Sequence, residues 1–245
     1  MVSSAPDQTS RLLRHERLVV ATGIALLVAL SWWYLADGAG MHPMAGMTGM
    51  PPPFAAVVLM WWLMMAAMML PSATPAVLLY ARVRASRSSD PAIAATWVFV
   101  AGYLAAWLVF SLLAATAQLL LTGPAMAFDN ATAEGAVLIA AGAYQLTPLK
   151  SACLAECRAP AQFISRHWRP GTTGALQLGM RHGVYCVGCC WMLMTLLFVG
   201  GIMNLWWIAV LTILVGIEKL APRGESIGRV ASVALIGWGA VRLLG

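Results

Sequence analysis

The chain has 245 residues, of which 61% are apolar and 10% charged, and its formal net charge is +6. An ordinary soluble domain is only about half apolar, so this composition excludes that class and fits a multi-pass membrane protein resting in a lipid bilayer. The surplus positive charge sits in short loops between apolar runs, where it is a topology signal, and no like-charge run is long enough to form a nucleic-acid surface.

Residues 1–17 are polar, end in Arg11, Arg14, His15, Glu16 and Arg17, and read as a cytoplasmic tail. Leu18–Ala36 reads as an uncleaved first span, because Trp32-Trp33-Tyr34 stands where a signal peptide would need small residues for cleavage. The loop 37–53 has no Lys or Arg and is expected outside. It carries Met41, His42, Met44, Met47 and Met50. Thioethers and an imidazole suit Cu(I) capture, and the same stretch also reads as a flexible Gly/Pro/Met connector.

The second span, Phe54 to about Tyr80, places Met60, Met64 and Met68 at i, i+4 and i+8, with Met65 and Met69 beside them. Residues at that spacing share a helix face, so the thioethers form a ladder descending from the outer side. Methionine is equally a filler of apolar cores, and both readings stay open. Pro71 and Pro75 free backbone carbonyls near mid-membrane, which makes room for a ligand or marks a packing feature.

Arg82, Arg84 and Arg87 mark an inside loop. Ala92–Leu121 has no charge and reads as a structural third span, and 123–132 as an outside turn. A fourth span is expected at 133–149, with Pro148 near its end either kinking the helix or starting a separate one. The inside segment 150–174 carries Cys153 and Cys157 at i and i+4, among Lys150, Glu156, Arg158, Arg166 and Arg169.

The fifth span starts near Ala175 and holds the densest chemistry of the chain. At helical spacing His182, Cys186, Cys189 and Cys190 fall on one stripe, with Arg181 adjoining, and Cys186 to Cys190 lie close to the bilayer centre. Ionisable groups at that depth mark functional sites. A sixth span, 204–220, closes with Glu218-Lys219, and a marginal seventh runs to Leu244. The expected fold is an all-α polytopic transmembrane bundle with its N-terminus inside, one domain over 18–245, with seven spans, or six if the last segment lies in the interface. Trp32-Trp33, Trp61-Trp62 and Trp206-Trp207 are expected in an outer aromatic belt.

Five cysteines is an odd number and none lies in a segment placed outside, so metal or redox chemistry is a better use for them than a disulfide framework. No phosphate-cradling glycine loop, Gly-x-Ser-x-Gly elbow or His-Glu-x-x-His motif occurs.

Met64-Met-Ala-Ala-Met-Met-Leu-Pro71, Tyr144-Gln-Leu-Thr-Pro-Leu-Lys150, Cys153 to Arg158, and His182-Gly-Val-Tyr-Cys-Val-Gly-Cys-Cys-Trp-Met192, with Glu218-Lys219-Leu220 further on, together resemble a bacterial family of uncharacterised, predicted metal-binding integral membrane proteins. The resemblance covers most of the chain after about residue 55 and leaves out the Met/His loop. It implies a location in the bacterial inner (plasma) membrane and association with a metal, and it supplies no reaction.

From the residues themselves the first reading is handling or transport of Cu(I). Metal would pass from Met41, His42, Met44, Met47 and Met50 along Met60, Met64 and Met68 to Cys186, Cys189, Cys190, His182, Cys153 and Cys157. Zinc would accept Cys and His but has little use for thioethers. Arg181 and Lys150 are the expected positive partners of thiolates, Glu218 and Glu156 the countercharges, and Arg158 a further charge partner. A metal chaperone or another membrane complex is the expected partner. Two alternatives remain: a thiol/quinone or metal-dependent oxidoreductase, and a non-enzymatic assembly partner of a membrane complex.

Overall fold

A computed structural model describes residues 5–38, 52–87, 92–121, 127–128 and 130–244, and the loop methionines Met41, Met44, Met47 and Met50 with His42 lie outside them. The regular elements are helices: α1 (Ala5–Ala36), α2 (Phe54–Arg87), α3 (Ala92–Leu121), α4 (Ala131–Gln145), α5 (Pro148–Arg158), α6 (Pro160–His167), α7 (Gly171–Thr195), α8 (Leu197–Gly200), α9 (Leu205–Leu220) and α10 (Gly224–Leu244). Residues 5–17, read from sequence as a polar tail, continue α1 as helix.

Among the described residues, five helical stretches are long and apolar enough to cross a membrane: His15–Ala36, Phe54–Arg87, Ala92–Leu121, Gly171–Gly200 and Gly224–Leu244. The expected fourth and sixth spans are too short for that class. At about 1.5 Å per residue, the 15-residue α4 and the 16-residue α9 fall short of a hydrocarbon layer of about 30 Å. Pro148 ends α4, because it restricts the residue before it and has no N–H to give. Thr147 then caps α5 by accepting from the Lys150 amide.

α2 is the central helix. It packs on α1, α3 and α9, and its five methionines Met60, Met64, Met65, Met68 and Met69 are fully buried. It runs unbroken through Pro71 and Pro75. The hydroxyls of Ser72 and Thr74 donate to the carbonyls of Met69 (2.9 Å) and Leu70 (2.8 Å) in the turn the prolines weaken. Trp33 and Trp206 face outward as a belt requires. Trp61 does not: it is buried and donates to Gln118 at 2.8 Å, while Trp62 donates to the Leu104 carbonyl at 2.9 Å. A buried indole N–H needs a partner, and these two find theirs on α3.

α3 and α7 make the most extensive helix contact. They approach through Gly179, where any Cβ would run into the backbone of Phe99. Small residues at such crossings let backbones close up, and this one sets the Tyr103 turn of α3 against the Cys186 turn of α7. Gly179→Val is expected to cost about 1–3 kcal/mol through overpacking, read as an earlier unfolding transition of the detergent-solubilised protein. An unchanged transition would mean the two helices are not held this close.

Candidate metal centre

The 3.6-residue period of α7 turns His182, Cys186, Cys189 and Cys190 inward, and all four are buried. α2 brings Met69 and Ser72 to the same level, α3 brings Tyr103, and the last turn of α9 brings Lys219. Lys219 Nζ lies 2.8 Å from Cys186 Sγ, 3.5 Å from Ser72 Oγ and 3.9 Å from Met69 Sδ. Tyr103 OH is 3.0 Å from the same Cys186 sulfur and donates at 3.4 Å to the Met69 carbonyl. Cys190 Sγ reaches Met69 Sδ at 3.8 Å. Cys189 and Cys190 also donate to the Cys186 carbonyl, at 3.1 and 2.9 Å.

α5 covers one side of this cluster. Cys157 and Cys153 are half-buried, and all five cysteines are free. The neighbouring Cys186 and Cys189 thiols, together with burial, hold the Cys157 thiol well above its ordinary range. Burial, and then the nearby Cys189, raise that of Cys153. Cys153 sits over Gly188, where a Cβ would come within 2.8 Å of its sulfur.

Behind Lys219 lies a second polar group. Lys150 and Glu218 pair at 2.6 Å with side chains 4% and 2% exposed. Gln145 donates to Glu218 Oε1 at 2.6 Å and accepts from Lys150. Arg158 donates to the Glu218 carbonyl and, at 3.1 Å, to that of Pro222, satisfying carbonyls at the end of α9. Adjacent helical residues point about 100° apart, so Glu218 serves α4 and α5 while Lys219 serves α2 and α7.

The other sequence candidates are dispersed. Arg181 is exposed, and the cation at the thiols is Lys219. Glu156 pairs with Arg166 at 3.4 Å near the surface. His182 sits in an aromatic cage, 5.1 Å from the Phe163 ring, 5.8 Å from Tyr103 and 6.1 Å from Phe99 by centroids, and its Nδ1 is buried without a hydrogen-bond partner among the described residues. Met60, Met64 and Met68 are core residues, and Met69 is the thioether seated at the cluster. Lys219, Tyr103 and Ser72 were not picked out from sequence. A lysine in the last turn of an apolar helix resembles a flanking charge, and one phenol in an uncharged span resembles packing.

Among the described residues, no three His, Cys, Asp or Glu side chains converge as a ready metal cage. Cys189 and Cys190 bond back to their own helix, and Cys186 is turned to Lys219. The donor set at the point of closest approach is thiol plus thioether, which suits a soft monovalent metal and is poor for zinc.

The model of the copper chaperone family PpoB2 matches residues 58–242. That range includes every cluster residue above and starts beyond the Met/His loop. No curated protein and no solved structure matches the chain.

Proposed function

We propose that the chain, which belongs to the copper chaperone family, carries Cu(I) as cargo within the membrane and holds it between Met69, Cys186 and Cys190. The observation that supports this most directly is the 3.8 Å approach of Cys190 Sγ to Met69 Sδ, from separate helices and beside Cys186. Thiolate rather than thiol is the metal-binding form. Two thiolates, a thioether and Cu(I) carry one net negative charge, which the Lys219 ammonium balances in a place where an unpaired charge is costly. Lys219 touches both Cys186 and Met69, so it withdraws toward Ser72 when metal enters between the sulfurs.

Met41, His42, Met44, Met47 and Met50, followed by Met60, Met64 and Met68, supply an entry route on this reading. Cys189, Cys157, Cys153 and His182 offer the next soft ligands toward the α5 side, where a metal chaperone or a membrane complex receives the cargo. The bundle sits in a bacterial inner membrane as a multi-pass protein.

Elemental analysis of the purified protein is expected to find copper near one per chain, lost in Cys186→Ser and in Cys190→Ser. Metal-free wild-type protein would sink the proposal. The packing of α5 on α7, which sets Cys153 over Gly188 beside Cys189, favours a second reading, thiol exchange with a quinone. It predicts metal-free protein whose thiol titre changes on quinone addition. Protein with neither metal nor redox change would fit an assembly partner instead.

A further inference from the structure

On the side of α2 opposite Met69, a cavity of about 490 Å³ opens between α1 and α2, lined by Arg17, Pro71, Thr74, Pro75, Leu78 and Arg82, among others. Pro71, Pro75, Leu78 and Arg82 follow one another at i, i+4, i+7 and i+11, a single helix face. Their composition changes along it. The Pro71 end offers short apolar rings, and the far end carries two exposed guanidinium groups, one from each helix. Neither Arg17 nor Arg82 has a hydrogen bond or ion pair among the described residues. Thr74 spends its hydroxyl on the Leu70 carbonyl, so the middle of the groove offers little polarity.

From Pro71 to Arg82 the groove runs about 16 Å at the helical rise, roughly half of a hydrocarbon layer of about 30 Å. It is therefore one leaflet deep, cationic at the rim and apolar below. We propose that this groove binds one anionic phospholipid, its phosphate between Arg17 and Arg82 and one acyl chain along Pro71, Pro75 and Leu78. Basic pockets between helices at a membrane face recognise such headgroups. A free phosphate would meet the same two arginines but gain nothing from the apolar channel beneath them. The proposal rests on the membrane-spanning reading, which is tested separately by whether the chain leaves the membrane fraction only with detergent.

Native mass spectrometry of the full chain in detergent, titrated with phosphatidylglycerol or phosphatidylcholine, reads the site directly. One phosphatidylglycerol is expected to stay bound in preference to phosphatidylcholine. Arg17→Gln and Arg82→Gln should each weaken retention about fivefold, and the pair about 25-fold, as each basic residue near an anionic headgroup contributes on the order of 1 kcal/mol. Leu78→Trp keeps both arginines, fills the channel and should also weaken retention, whereas Arg166→Gln, an exposed arginine elsewhere, should change nothing. Equal retention of both lipids, retention unaffected by the double substitution, or displacement by inorganic phosphate at matched concentration would each overturn the assignment.

Discussion

Lys150→Met is expected to lower the unfolding free energy by about 3–5 kcal/mol, because removing one member of a buried ion pair leaves the other charge without compensation. Both side chains are almost completely out of contact with solvent, and their separation is 2.6 Å. With Lys150 gone, Glu218 keeps the Gln145 amide, since Arg158 is committed to backbone carbonyls. The amide cannot supply a positive charge, and Gln145 loses its own donor at the same time. Lys150→Met combined with Glu218→Leu should recover most of the loss, as apolar replacement of a whole buried pair is often close to neutral. Unfolding of the detergent-solubilised wild type, both single variants and the double variant gives the coupling directly. A double variant no more stable than the singles would show that the pair is not the unit holding these helices. The site should respond as well. The pair ties the end of α9 to α4 and α5, and Lys219, the next residue, depends on that tie to meet Cys186.

The stripe on α7 was legible in the sequence because helical period alone decides it. His182, Cys186, Cys189 and Cys190 recur at that period, and the same arithmetic puts Arg181 off the stripe and outward, although its charge drew it into the expected site. The long apolar helices were legible as apolar runs, while some of their ends were not: α1 begins at Ala5 and α2 continues to Arg87. Hydropathy alone hid the shortness of α4, since Leu146 and Leu149 continue the apolar run across the Thr147-Pro148 break; Pro148 was the signal, read from sequence as either a kink or the start of a separate helix, and α5 begins there. What sequence could not supply was convergence between elements. The covering of Cys189 by α5 depends on the chain turning back at Thr147-Pro148. The arrival of Lys219 at Cys186 depends on where α9 docks on α2. Trp61-Trp62 looked like a boundary pair until Gln118 and the Leu104 carbonyl claimed their N–H groups. Membership of a copper chaperone family agrees with the copper reading of the residues, and the thioether is what distinguishes that metal from zinc.

Met69→Leu is expected to reduce copper retention by at least about tenfold to 100-fold, the range already seen when only an outer-shell partner of a metal ligand is lost, while leaving the fold in place. Leucine conserves the volume of methionine and such swaps usually cost under about 1.5 kcal/mol, so a core position can be stripped of sulfur without being emptied. The substitution removes the partner of Cys190 at 3.8 Å and one neighbour of Lys219 at 3.9 Å, and touches neither thiol. Met68→Leu is the matched control. It is equally buried and one residue away, but the helix turns its side chain about 100° from that of Met69. Copper per chain after dialysis against a Cu(I) chelator of graded strength separates the outcomes. If Met69→Leu retains copper as the wild type does while Cys186→Ser loses it, the thioether is packing and the metal is held by thiolates alone. If Met68→Leu loses as much as Met69→Leu, the whole ladder, rather than its last rung, sets the affinity.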